Sequence, residues 1–541
     1  MNSYYSVGRI KVKPYVILVL ILSIVGVFFV FRTYQPKSLN DNRLVIGRKT
    51  DSISLDPAIT SDTESFQVTA NIYETLVKFE KGGTDVIPGL AEEWEVSEDG
   101  KTWQFKIREG VKFHDGTDLD ANVVAFNFER WMDPDSPYHT GQFIYWRYCF
   151  GGYPGIVERV TALSDETLEI VLKEPYAPFL NALSIPAFGI ASQSAITKYN
   201  ETLKSHPVGT GPYVFSEWNQ DENIVLTRNE YYWAGEAKSG VLEFKIFPET
   251  TDRVALLRSG EVQIIDQLSD DEARTIVSDD KLQIYYRPFF NIGYLALNNS
   301  KPPFDNLQVR KAVSLLVDKE AIIQASDNTL ARPANSFLPP VVMGYHEGIK
   351  SEKVNVELAK SLLESAGYSD GIDISLWVMD RPRTYLPNPI STALALKEQL
   401  EVGGIRVTVK IIPWESYIDD IKTGEHEMAL IGWNGDIVDP DNFVNTLFSS
   451  EHLDAKLSFN YAFYSNPEVD RLLTQARRVS DVSFRTSLYQ ELQEIIEADA
   501  VSIPLMHTMT AIGVADGVMG FEPQITGEEV LWKIQLIKTQ N

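Results

Sequence analysis

Three carboxylates and an indole stand close together in Gly432-Trp433-Asn434-Gly435-Asp436-Ile437-Val438-Asp439-Pro440-Asp441-Asn442-Phe443. Asp436, Asp439 and Asp441 in such a setting can hold an amine, bind a metal ion, or cap a helix. Asp439 and Asp441 flank Pro440, and capping the helix that starts at Asn442-Phe443 is the plainer reading of both. A Ca²⁺ loop would need further oxygen ligands that the spacing does not supply, so no metal is expected. Upstream, Leu376-Trp377-Val378-Met379-Asp380-Arg381-Pro382-Arg383-Thr384-Tyr385-Leu386-Pro387-Asn388 brings two guanidinium groups and a phenol into a second loop. Arginine grips a carboxylate through a two-pronged fork. Acid in one loop and base in the other suit a small zwitterion. A dipeptide, charged at both termini near pH 7, is the obvious one. Gripping both ends would measure backbone length and leave the side chains free. Two plainer readings compete: Arg381 as an exposed surface cation, and Asp436 with Arg383 as an internal ion pair.

Both loops follow apolar runs that read as buried strands, Ile374–Val378 and Met428–Ile431. If those strands are neighbours, the loops emerge at one sheet edge, where open α/β sheets place ligands. The surrounding chain alternates in the way such a sheet requires. Helices are expected over 307–317, 356–366, 390–402, 468–479 and 484–497, with strands over 291–298, 372–378 and 407–412. Earlier, a strand at 44–47 precedes a helix over about 65–77. A short helix and a strand then follow from Val86, and Asp99-Gly100 offers the positive φ of a tight hairpin. The run Trp103–Ile107 alternates as a half-buried strand does, and a helix is expected over 121–131. The chain closes through a run over 503–512.

A chain of 541 residues with a 44% apolar share implies two or three domains around large cores. A net charge of −26 repels nucleic acid, and that class of partner is set aside. The single cysteine, Cys149, cannot form an intrachain disulfide and reads as a small buried hydrophobe. Arg9, Lys11 and Lys13 precede an uncharged apolar run over 15–31, roughly 25 Å of helix. With no Ala-x-Ala cleavage pattern and no lipoprotein cysteine after it, the run reads as an uncleaved membrane anchor, the bulk of the chain lying outside the cytoplasm. No Gly-x-Ser-x-Gly elbow, His-Glu-x-x-His pair or phosphate loop occurs, so no enzyme and no cofactor are expected. His114-Asp115-Gly116 is explained by turn chemistry. A hydrolase built on Asp439 and Asp441 is the rival from another class.

The Gly-Trp-x-Gly-Asp-x-x-Asp-Pro-Asp-Asn-Phe stretch and the blocks at 86–102 and 112–116 resemble the extracellular solute-binding proteins of family 5, its dipeptide-binding members above all. The resemblance covers nearly everything after residue 41. It implies a two-lobed, hinged α/β clam of the type II periplasmic-binding-protein kind, with an extra subdomain. On this basis residues 1–40 are anchor and tether, 41–288 and 507–541 the first lobe with its subdomain at about 61–210, and 289–506 the second lobe. It implies Asp436 on the peptide ammonium, Arg383 on the carboxylate, and Tyr385 and Trp433 at further pocket positions. The implied partners are a peptide and the membrane permease of an ABC transporter, the protein itself being a monomer. Nickel chelate, haem and oligosaccharide are rival cargoes. Asp62 stands where the family has a glycine, Ile437-Val438 replaces a more polar pair, and the family's structural cysteines are absent.

Overall fold

Where each sheet begins and ends follows from the apolar runs, and two sheets dominate the molecule. The computed structural model describes residues 42–247, 250–453 and 459–537. The account concerns Leu44–Asn541, which forms one unit apart from Met1–Arg43. The expected anchor at 15–31 lies outside the described residues. Among the described residues no helix is long and apolar enough to cross a membrane.

The first sheet has seven strands, in the spatial order Leu282–Tyr286, Ala511–Ala515, Ile264–Ile265, Arg43–Arg48, Val241–Ile246, Asn223–Arg228 and Tyr213–Asn219. The second has six: Ala331–Pro333, Ser502–Thr508, Asn291–Leu297, Met428–Asn434, Ile372–Met379 and Ile405–Ile412. Asn291–Leu297 is buried at every position, which is why it reads as an unbroken apolar run rather than an alternating one. A smaller four-stranded sheet, Ala91–Val96, Thr102–Ile107, Thr167–Leu172 and Val157–Ala162, sits on its own core with the helix Ala121–Met132. Cys149 is buried in that core with a free thiol.

The chain passes between the two large sheets at 287–290 and again at 509–510. These passages run side by side. The Arg287 amide donates to the Thr510 carbonyl at 2.9 Å, and the Asn291 side chain brackets Thr508, accepting from its amide (2.9 Å) and donating to its carbonyl (3.0 Å). The terminal run expected over 503–512 is therefore two strands in two different sheets, joined at this hinge.

Two further expectations are corrected. The helix expected over 65–77 is Thr63–Ile72, and Val77–Phe79 is a strand. Helical periodicity continues past Ile72, but tertiary bonds override it. The Glu74 carboxylate accepts from Thr210 Oγ1, Tyr232 Oη and Trp233 Nε1 at 2.8–3.2 Å and anchors an extended chain. The short helix expected from Val86 is instead the strand Val86–Pro88, antiparallel to Val77–Phe79. Gly89 allows the approach, since a Cβ there would lie 2.5 Å from the Thr75 carbonyl oxygen.

Candidate ligand cleft

The strands Ile372–Met379 and Met428–Asn434 are parallel neighbours, with Leu376 opposite Met428 and Trp377 opposite Ala429. Parallel strands end on the same side, so the arginine loop and the aspartate loop emerge together, toward the hinge. Thr384 Oγ1 joins them by donating to Asn434 Oδ1 at 2.8 Å. The space they face is a cavity of about 430 Å³, open to solvent, between the two large sheets and the smaller one. Arg383 and Asp436 both line it.

Tyr385 does not line the cavity; it builds the wall. Its ring lies on the backbone of one strand and its carbonyl on the next. A Cβ on Gly432 would fall 2.3 Å from the Tyr385 ring, and one on Gly293 would fall 2.3 Å from its carbonyl oxygen. Burial pushes the Tyr385 phenol up to about 12. With Tyr385 fixed, backbone bonds between Arg383 and Leu386 (3.1 and 2.9 Å) close the loop, and the Arg383 side chain donates a hydrogen bond to the Tyr385 phenol beside the cavity. The Arg383 guanidinium stacks 4.2 Å above the Trp414 ring, its Nε has no partner, and it forms no ion pair among the described residues.

Asp436 is set by two bonds. Its amide donates to Asn442 Oδ1 at 3.0 Å, and its Oδ1 accepts from Tyr145 Oη at 3.1 Å. Burial pushes its carboxyl up to about 6, and the Tyr145 bond only partly offsets that. It has no cationic partner among the described residues. Asp436 and Arg383 share the cavity without forming the ion pair that a purely structural role would require. Trp433 holds the wall from behind. Its Nε1 donates to Asn442 Oδ1 at 3.3 Å, and its ring packs against Tyr148 and Phe459.

The other two aspartates are committed elsewhere. Asp439 takes Arg485 through both oxygens at 2.7 Å, and its Oδ1 also accepts the Asp441 amide at 2.9 Å. The N-cap of the helix Asp441–Phe448 is Pro440, with no side-chain cap; Asp439, one residue earlier, receives only the first helical amide, and Asp441 pairs with Arg477 at 2.8 Å, so neither is the expected cap. Both carboxylates being held by guanidinium groups, neither is free to act as acid or base. Arg381 is exposed and paired with Glu415. His114 is buried against the Gly211 carbonyl at 2.9 Å, and burial pulls it down to about 4. Among the described residues no group of three His, Cys, Asp or Glu could hold a metal.

Of the cavity residues that escaped the sequence reading, Tyr145 and Glu528 bear most directly on Asp436. Tyr145 lies on the short helix Ile144–Phe150, whose aromatic spacing reads as core. Glu528 lies in the returning segment, where only the run Gly527-Glu528-Glu529 hints at it. Burial pushes Glu528 up to about 8; its bond to Thr526 opposes the shift, while Glu529 and Asp436 add to it. On the cavity floor, Arg287 is held by Asp266 at 2.6 Å and Glu529 at 2.7 Å. The mouth is shut on one side. Beyond Tyr145 and Asp436, Asn442 Nδ2 donates to Tyr148 Oη (2.9 Å) and Asn181 Nδ2 to the Val438 carbonyl (2.6 Å).

Two α/β sheets joined by paired crossings, with a charged cavity at the hinge, define a solute-binding protein of the two-lobed periplasmic type. Residues 85–454 match the family described as bacterial extracellular solute-binding proteins, family 5 Middle. The chain is 32% identical over 517 residues to heme-binding protein A of Haemophilus influenzae, covering 93% of this chain and 94% of that one. It is 33% identical over 474 residues to the dipeptide-binding protein of Escherichia coli, covering 85% and 88%. Among solved structures, the dipeptide binding protein from Pseudoalteromonas sp. SM9913 in complex with Met-Leu superposes with a TM-score of 0.78 at 29% identity, covering 92% of this chain and all of that one. The chain belongs to the family 5 bacterial extracellular solute-binding proteins.

Proposed function

We propose that this protein captures dipeptides, and short peptides more generally, outside the cytoplasmic membrane and hands them to the permease of an ABC transporter. Asp436 takes the α-ammonium and Arg383 the α-carboxylate, while the lobes close around the guest. The observation that carries the reading is the pair itself. Opposite charges from neighbouring loops enter one cavity, and neither has an ion-pair partner among the described residues. A zwitterion supplies both missing partners. Tyr385 and Trp433 act as supports that fix the two loops, and no catalytic step is assigned.

The names of two relatives and the Met-Leu complex of a third point to peptide and haem as competing cargoes. The cavity favours the peptide. Among the described residues that line it there is no His, Cys or Met to ligate iron, and its one phenol, Tyr145, is bonded to Asp436. The test is calorimetric titration with Ala-Ala, its N-acetyl form and its C-terminal amide. Free Ala-Ala is expected to bind and both blocked forms to fail. Asp436→Ala and Arg383→Ala are each expected to weaken binding a hundredfold or more, since truncating one member of a buried charge pair costs ~3–5 kcal/mol. Equal binding of blocked and free peptide would overturn the assignment.

A further inference from the structure

Resting on the peptide reading above, we infer that the cleft selects peptides carrying a basic side chain, whose cation is received by Asp62 and Glu528. The charges on the cavity wall do not balance. Asp62, Glu64, Asp266, Asp436 and Glu528 line it against two cations, Arg287 and Arg383. Arg287 is consumed by Asp266 and Glu529. Glu64 lies beside Arg48, accepting from Gln267 Nε2 through its carboxylate and from Arg48 through its carbonyl. What remains is one guanidinium, Arg383, against three carboxylates. A zwitterionic backbone engages Asp436 and Arg383, and Asp62 and Glu528 are then left without a cation.

Each of these two has its own mark of being unfinished. Asp62 uses Oδ1 to cap the helix Thr63–Ile72, accepting from the Ser65 amide at 2.8 Å, while its Oδ2 is buried with no hydrogen-bond partner. The cation behind it, Arg48, donates through Nη1 to the Glu64 carbonyl and Ser52 and lies 3.7 Å from Asp51. It attracts Asp62 through space but forms no hydrogen bond or ion pair with it, and its own Nε and Nη2 have no hydrogen-bond partner among the described residues. Glu528 forms no ion pair among the described residues. Thr526 hydrogen-bonds to it, and the charges that act on it are Glu529, Arg287 and Asp436, of which only Arg287 is cationic and that is already paired with Asp266 and Glu529. The two carboxylates belong to one wall, because a Cβ on Gly527, next to Glu528, would stand 4.0 Å from Thr63 Cγ2, next to Asp62. A buried carboxylate without a cation is unfavourable, and a guest that brings one removes that cost. A guest with an acidic side chain adds one more carboxyl group to a wall that already holds three, and gains no cation from it. The side-chain position opposite this wall is therefore selected by charge, while the backbone is held as before.

The experiment is a calorimetric series on the full chain at pH 7.5 with Ala-Ala, Lys-Ala, Ala-Lys, Glu-Ala and Ala-Glu. At least one lysine dipeptide is expected to bind ten times or more tighter than Ala-Ala, and its glutamate counterpart ten times or more weaker. In the double variant Asp62→Asn, Glu528→Gln, whose asparagine can still cap the helix, the ratio of lysine to alanine affinity is expected to fall to within threefold of unity. Thermal unfolding checks that the variant is folded. Ala-Ala binding with no lysine preference overturns the inference and leaves the peptide reading standing. A lysine preference that survives the double variant overturns the assignment to this wall. Failure of every dipeptide, Ala-Ala included, overturns the peptide reading and this inference with it.

Discussion

Replacing Asp436 by asparagine should make the empty protein more stable and remove its binding. In the empty cleft the carboxylate has one partner, the Tyr145 hydroxyl, and burial lifts its pKa from 3.8 to about 6. A carboxyl group whose folded pKa is raised holds its proton more tightly when folded. Stability therefore falls as pH rises from about 4 to about 6, and the full cost is present above that. Two pKa units correspond to about 3 kcal/mol at most, and water in the open cavity screens part of it, leaving ~1–3 kcal/mol. Asparagine keeps the shape and still accepts from Tyr145, yet carries no charge. Urea unfolding at pH 7.5 should place the Asp436→Asn variant ~1–3 kcal/mol above the parent, with the gain vanishing near pH 4. Calorimetry with Ala-Ala should show a loss of a hundredfold or more, because the ammonium has lost its counter-charge. A variant less stable than the parent at pH 7.5, or one that gains equally at both pH values, would refute the electrostatic reasoning. Binding within fivefold of the parent would refute the role of Asp436.

The same ionisation governs affinity in the native protein: Ala-Ala binding should rise with pH up to about 6 as Asp436 ionises, then decline above roughly 8 as the peptide amine loses its proton, which titrations between pH 4.5 and 9 would trace. Tyr145→Phe removes the hydroxyl that bridges to Asp436, so small-angle scattering of the empty variant should show a more open molecule, and an unchanged profile would count against the latch. Asp439→Ala leaves Arg485 buried and unpaired and should cost ~3–5 kcal/mol in urea unfolding, while Ala-Ala affinity of the folded variant stays within a few-fold of the parent. Gly432→Ala drives a methyl group into the Tyr385 ring, which should cost ~1–3 kcal/mol and, by tilting the arginine loop, weaken Ala-Ala binding as measured by calorimetry.

The two loops were legible in the sequence because each follows an apolar run that reads as a buried strand and turns polar at its end; the choice of Asp436 and Arg383 within them came from the family resemblance. That the two runs are parallel neighbours was the condition attached, and the pairing of Leu376 with Met428 meets it. Tyr385 and Trp433 were drawn to the pocket by residue type. The signal against Tyr385 was present in Gly432 and Gly293, which leave backbone bare for the ring of Tyr385 and for its carbonyl to approach. The commitments of Asp439 and Asp441 were not legible, because their partners Arg485 and Arg477 lie on the separate helices Val482–Ala498 and Pro467–Arg478. Glu528 and Tyr145 reach the cavity through folding of distant segments, and no local pattern marks such residues. The overrun of the helix past Ile72 has the same origin, since Glu74 answers to Thr210, Tyr232 and Trp233 rather than to its own turn.

Tyr145 and the proposed ligand compete for, or share, one carboxylate, and this ties closure to capture. The Tyr145 hydroxyl comes from the small-sheet side of the mouth and Asp436 from the second large sheet, so their bond exists only when the mouth is shut. Near and below pH 6, where Asp436 is partly protonated, an ammonium on it favours the ionised form, and an ionised acceptor makes a stronger bond to a phenol than a neutral one does. The guest therefore strengthens the latch from inside. By linkage, closure raises affinity for the guest by the same factor. A neutral guest of equal size would fill the space without that effect, because a ligand shifts a conformational equilibrium only by its differential affinity for the two states.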